Sequence, residues 1–206
     1  MQIFLVAFTL ASLVLAGPIP SRKPGYNFGN QAAKSKIDLF VDPHCPASKA
    51  FFGVVTKALA TKIDGVPLIE KVAVTYNIQP LPYHHHAFLA LKLTKFLEVK
   101  YPDSIPKFLS IQFDKVDDYN TGGLNKSLNE AKQMLIQDAI QAIGKQDPTI
   151  AEAFTNDEYE IQARSAFKYA ALKGVTGCPF FFVNSVRVEE VPASTGDLVK
   201  FLSQYI

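Results

Sequence analysis

Hydrophobic and polar positions along the chain fall into three regimes. A charge-free apolar run from Ile3 to Ala16 comes first, broken only by Thr9 and Ser12. It is shorter than the roughly 20 apolar residues a membrane span requires. It ends at Ala16-Gly17, ahead of Pro18 and Pro20, which fits a secretory leader of residues 1–16, with Val14 and Ala16 as the small residues before the cut. Residues 17–36, rich in Lys, Gly, Asn and Ser, read as a loose N-terminal arm. A short apolar strand follows at Ile37-Asp38-Leu39-Phe40-Val41 and stops at Asp42-Pro43. Pro46 opens a helix carrying Phe51, Phe52, Val55 and Leu59, which Asp64-Gly65 breaks. A second β-rich run, Val72 to Ile78, ends at Gln79-Pro80-Leu81-Pro82, so residues 37–82 predict a right-handed βαβ unit.

From Tyr83 to Lys173 the periodicity is helical. Phe88 to Val99 marks one helix and Ile105 to Phe113 a shorter one; Asp117 to Asn125 is a polar loop, and Leu128 to Ile143 is a helix stopped by Gly144. Ile161 to Leu172 is a further helix, with Gly174 as its stop. Phe180-Phe181-Phe182-Val183 and Val186-Val188 flank Asn184-Ser185 and predict a hairpin, and Asp197 to Tyr205 a closing helix. The order βαβ, helices, ββα gives an α/β fold: a small mixed sheet flanked by helices, split into halves at 37–82 and 174–206 by a helical insertion at 83–173. That order resembles the thioredoxin fold with an insertion.

Composition narrows the function. Lys and Arg number 21 against 19 Asp and Glu, a net charge of +2 with no basic cluster, which argues against nucleic acid as a partner. Hydrophobic residues at 48% and charged residues at 19% support a buried core. With no second long apolar run, no membrane association is expected once the leader is removed, and a secreted or secretory-lumen location follows from it. Asn125-Lys126-Ser127 fits a glycosylation sequon if the chain enters a eukaryotic secretory route. Two cysteines, Cys45 and Cys178, exclude a disulfide-dense scaffold and a four-cysteine zinc site.

Chemistry concentrates at three places. Cys45, in Asp42-Pro43-His44-Cys45-Pro46-Ala47-Ser48, stands at a helix mouth, where free amides and the positive end of the dipole favour a thiolate nucleophile. His44, when protonated, would add to that field. Gly177-Cys178-Pro179 precedes a strand, and Pro179 is a candidate cis-proline that would bare the backbone of residue 178 to an extended substrate. His84, His85 and His86 follow the second strand, whose end should lie at the same sheet edge as Cys45, so that one of them, His84 foremost, could serve the thiolate. A metal bound by Cys45, Cys178 and one histidine has little support, and no metal is expected.

The segments Asp-Pro-His-Cys-Pro-Ala-Ser and Gly-Val-Thr-Gly-Cys-Pro-Phe-Phe-Phe-Val-Asn resemble the DsbA-like thiol–disulfide oxidoreductases from about Lys36 to Ile206. The resemblance implies Cys45 as the attacking cysteine, Pro46 as its usual neighbour and Pro179 as the cis-proline. The chain departs from that pattern at Ser48, where the family has a resolving cysteine, and at Cys178, where Val or Thr is usual. A hydroxyl cannot resolve a mixed disulfide, so what the resemblance implies is monothiol exchange at Cys45. Ser48 is then expected to hydrogen-bond the thiolate, and Cys178, expected close to Cys45, could supply the missing thiol as a redox switch or close a permanent bond with it. The expected partner is a thiol- or disulfide-bearing protein or peptide, with no cofactor and with glutathione as a small thiol that could release it. A non-catalytic secreted module binding an extended peptide is the alternative, and a kappa-type glutathione transferase shares only the topology.

Overall fold

The computed structural model describes residues 24–206, so the leader expected at 1–16 lies outside the described residues. Five strands form one sheet in the order β1 (Tyr26–Gly29), β5 (Ala73–Ile78), β2 (Lys36–Val41), β6 (Phe180–Val183), β7 (Val186–Arg187). Strand β2 (Lys36–Val41) and strand β5 (Ala73–Ile78) are parallel and joined through helix α1 (Pro46–Ala60), which is the expected βαβ crossover. The crossover also contains a small hairpin, β3 (Lys62–Ile63) and β4 (Val66–Pro67), whose turn is Asp64-Gly65 with both residues at positive φ. Strands β6 (Phe180–Val183) and β7 (Val186–Arg187) extend the sheet antiparallel from β2, and helix α7 (Thr195–Leu202) closes the chain.

The N-terminal arm is corrected by the structure. Tyr26–Gly29 is strand β1, antiparallel to β5 at the sheet edge, with Tyr26 opposite Tyr76 and Phe28 opposite Val74. The Phe28 ring stacks on Tyr76 with centroids 5.0 Å apart. Gly29 ends the strand at φ 74°, where an added Cβ would meet the Val72 carbonyl oxygen at 2.7 Å, so the chain can turn there only as glycine. The four residues of Tyr26–Gly29 are too few for an alternation to stand out from the surrounding polar sequence.

Alternation in β2 sets the layers. Ile37, Leu39 and Val41 join the large core with Phe51 and Val55 of α1 and Leu198 of α7. Phe40, on the other face, packs with Phe182, Ala170 and Val175 in a second cluster beneath helix α6 (Asp157–Leu172).

The inserted region holds α2 (Ala87–Lys100), α3 (Ile105–Asp114), the short α4 (Val116–Tyr119), α5 (Leu128–Ile143) and α6. The sequence read 117–125 as a loop; α4 and a 3-10 turn at Thr121–Gly123 occupy most of it. Its helices share the large core with the sheet, Phe52 of α1 meeting Phe113 of α3 at 4.8 Å between centroids. Helix α5 begins with a full capping box of Ser127 and Glu130 and ends at Gly144 in the left-handed conformation. No helix among the described residues is long and apolar enough to cross a membrane.

Candidate active site

The end of β2 and the end of β5 lie side by side, the Gln79 amide donating to the Val41 carbonyl at 2.9 Å. Asp42 to Pro46 therefore turn at the carboxyl edge of the parallel pair, where open α/β sheets bind ligands. Cys45 is the N-cap of α1 in extended conformation, with Pro46 in the first turn. Its own side chain makes no cap, and no acidic residue occupies the first turn, so the positive end of the helix dipole is not offset there.

Cys178 and Pro179 approach this turn from the opposite side, joined by a cis peptide bond. The Cys45 thiol donates to the Cys178 carbonyl with Sγ 3.6 Å from the oxygen. Cys178 turns its own thiol away, to the Gln79 carbonyl at 3.5 Å. Neither cysteine is in a disulfide. Burial first, and then the charges of Asp42 and Cys45, push the Cys178 thiol far above the ordinary cysteine range, which holds it protonated.

Ser48 is fully buried, and its hydroxyl oxygen accepts the Asp42 amide at 3.2 Å. The expected bond to the Cys45 sulfur is therefore not the one made here. Asp42, read from the sequence only as a strand stop, is the hub of the turn. One carboxylate oxygen accepts the His44 amide at 2.7 Å; the other accepts the Leu81 amide at 2.7 Å and His84 Nδ1 at 2.8 Å. Burial raises the Asp42 pKa, and the donors at Leu81, His84 and His44 pull it part of the way back. An Asp whose carboxylate takes the amide two residues on is an Asx turn, and Asp-Pro-His was its sequence signal.

The histidines divide. His44 was expected to bring positive charge to Cys45, and the structure overturns that. It is 0% exposed, and burial lowers its pKa to about 4, so it is neutral at physiological pH. Its ring stacks on Tyr119 with centroids 4.3 Å apart, and Nε2 donates to Gln112 Oε1 at 3.1 Å. Gln112 is oriented in turn by donating to Asp138 at 2.6 Å, and Asp138 also accepts Tyr119 and pairs with Lys115. The Asn120 amide holds the His44 carbonyl at 2.6 Å. None of Gln112, Tyr119, Asn120 or Asp138 carried a sequence signal, because only the folded insertion brings them to residue 44.

His84 does reach the turn, through Asp42. His86 instead opens α2 and donates from Nε2 to the Gly123 carbonyl at 3.1 Å, a structural anchor. His84 and His85 line a groove of about 450 Å³ with Pro80, Phe88, Phe167 and Thr176. No group of three or more His, Cys, Asp or Glu among the described residues is placed to hold a metal ion.

Known structures repeat this architecture. BdbD from Bacillus subtilis, in its oxidised form, superposes with a TM-score of 0.69 at 16% identity, covering 88% of this chain and 95% of its own. Alpha-DsbA1 from Wolbachia pipientis gives 0.69 at 16% identity, covering 92% and 93%. Alpha-DsbA2 of the same organism, described as a thiol-disulfide exchange protein, gives 0.64 at 14% identity, covering 88% and 87%. A search of curated proteins finds no match. These likenesses establish a DsbA-like thioredoxin fold. The sequence profile described as Thioredoxin matches residues 21–203, nearly the whole described chain with both edges of the Cys45 site, and the chain belongs to that family.

Proposed function

We propose that the protein exchanges disulfides with thiol- or disulfide-bearing proteins or peptides in monothiol mode, with Cys45 as the attacking group. The observation that carries this is the placement of Cys45 Sγ, at the mouth of α1 and 3.6 Å from the Cys178 carbonyl beside the cis-proline. An extended client can pair its backbone with that edge and bring its own sulfur to Cys45. The Cys45 thiolate attacks one sulfur of the client disulfide; the client S–S bond breaks, a Cys45–client disulfide forms, and the second client sulfur leaves as a thiolate that takes up a proton. Another client thiol, or a small thiol of the glutathione class, then attacks the mixed disulfide and releases Cys45. Ser48 holds the Asp42 amide and takes no part in electron transfer. The apolar run at 3–16 supports work in the secretory route, and N-terminal sequencing of secreted material is expected to start near Gly17.

The test is a short incubation of reduced protein with a disulfide-bearing peptide, quenched in acid and read by intact mass. One peptide adduct is expected, and none on Cys45→Ala. Equal trapping by Cys45→Ala would overturn the assignment. The 6% exposure of Cys45 favours a second reading, a module that holds peptide without covalent capture. Peptide binding without any adduct would establish that reading instead.

A further inference from the structure

We propose that Cys178 resolves the mixed disulfide formed at Cys45, so that the working pair is Cys45 and Cys178 across the cis-proline loop. This rests on the capture step of the reading above and replaces its release by an external thiol. The position that would hold a second thiol on α1 is Ser48, and its oxygen is committed to the Asp42 amide. The other cysteine lies against the same sulfur: Cys45 Sγ touches the carbonyl of residue 178 itself. A disulfide requires Cα atoms within about 7 Å and side chains turned together. The contact sets the Cys45 sulfur against residue 178, while the Cys178 side chain turns to the Gln79 carbonyl. That side chain is held by one thiol-to-carbonyl bond, to Gln79, and a thiol is a weak donor.

The electrostatics assign the order of the two steps. Cys178 rests as a protonated thiol, so it does not compete with Cys45 for the first attack. Once Cys45 is in a mixed disulfide, its sulfur is the electrophile lying against residue 178. Cys178 then turns from Gln79, and its sulfur attacks the Cys45 sulfur. The Cys45–client bond breaks, the Cys45–Cys178 bond forms, and the client sulfur leaves with the proton that Cys178 gave up. The client is reduced by two electrons and the protein oxidised by two; two free small thiols of the glutathione class return it to the dithiol and leave joined to each other as a disulfide. In the resting protein the Cys178 carbonyl is occupied by the Cys45 thiol.

The experiment is the adduct assay carried through time, with peptide mapping of the end product and with Cys178→Ser and Cys178→Ala. In the wild type the adduct should decay into an internal Cys45–Cys178 bond with the peptide released as thiol. In both variants it should persist at least about tenfold longer, because an internal thiol acts at an effective concentration of order millimolar that micromolar client thiols do not match. Equal adduct lifetimes in wild type and variants, with no internal bond mapped, would overturn the role of Cys178 and leave capture by Cys45 standing. Failure of all three proteins to form an adduct or internal bond would overturn both. Mapping the wild type needs no substitution, so an unfolded variant does not decide the matter.

Discussion

The two flanks of Cys45 are built on different physics. On the sheet side, alternate residues of β2 pack into two apolar clusters, and the strands, crossover and hairpin follow from periodicity and turn residues. On the insertion side, the next residue, His44, is held by a buried polar knot: Gln112, Tyr119 and Asp138, with Asn120 on its carbonyl. Apolar packing tolerates exchange among residues of similar volume, whereas a half-satisfied polar network is worse than none. The insertion thus fixes the reactive turn through a few directional bonds, and the sheet through many interchangeable contacts.

The largest expected effect breaks the knot at its centre. Asp138 is 1% exposed and accepts Gln112 and Tyr119, each at 2.6 Å, besides its pair with Lys115. Asp138→Ala would take the acceptor from the buried Tyr119 hydroxyl, leave the Gln112 amide only its 3.5 Å contact to that hydroxyl, and cost about 4 kcal/mol in denaturant unfolding. A cost below about 1 kcal/mol would mean the knot contributes no more than exposed contacts do, and the contrast between the flanks would collapse.

The next effect is a pH dependence. The His44 pKa is about 4 in the folded protein against 6.5 for an ordinary histidine. As pH falls the unfolded chain takes up the proton first, so this contribution is present above 6.5 and is lost between 6.5 and about 4. A shift of 6.5 − 4 = 2.5 units corresponds to about 3 kcal/mol. Asp42 works in the opposite direction: its pKa is raised, so stability it lends at low pH fades as pH climbs from 3.8 upward. The difference between wild type and His44→Phe isolates the histidine, since phenylalanine keeps a ring against Tyr119. Unfolding free energies that fall in parallel for the two proteins over that window would show that His44 is not the group responsible.

What was legible in the sequence divides along the same line. Helix α5, from Leu128 to Ile143 with Gly144 after it, agrees with its expected bounds, because its cap, periodicity and stop are all local. That the turn after β2 and the His84 loop share one sheet edge was also readable, since the ends of parallel strands lie together. The neutrality of His44 was not. It depends on burial under the folded insertion, whose Tyr119 stacks on the ring, and it holds although the bond to Gln112, 68 positions away along the chain, pulls the pKa the other way. Strand β1 was missed for a related reason: its pairing with β5 is non-local and its four residues carry too little pattern.

The smallest effect tests whether the sheet side obeys local rules down to a single turn. Val183 and Val186 pair across the β6–β7 hairpin, with Asn184 at φ 48° and Ser185 at φ 69° between them. Two central residues at positive φ make the turn type whose twist matches paired strands, and glycine is favoured there. Ser185 is exposed, so it bears the left-handed strain of about 1–2 kcal/mol without a compensating tertiary contact. Glycine would relieve that strain but lose about 0.5–1 kcal/mol to the entropy of the unfolded chain, so Ser185→Gly should stabilise by about 0.5 kcal/mol. Asn184 should respond in the opposite sense. Asparagine tolerates the left-handed region, and its Oδ1 accepts the Lys36 amide at 2.8 Å while its own amide donates to the Lys36 carbonyl at 2.8 Å. Asn184→Gly removes the first of those bonds and should cost about 0.5–1 kcal/mol. Thermal melts of the two variants should therefore move in opposite directions from the wild type. Movement in the same direction would mean that the bond to Lys36 has no weight, and that the hairpin is set by turn propensity alone.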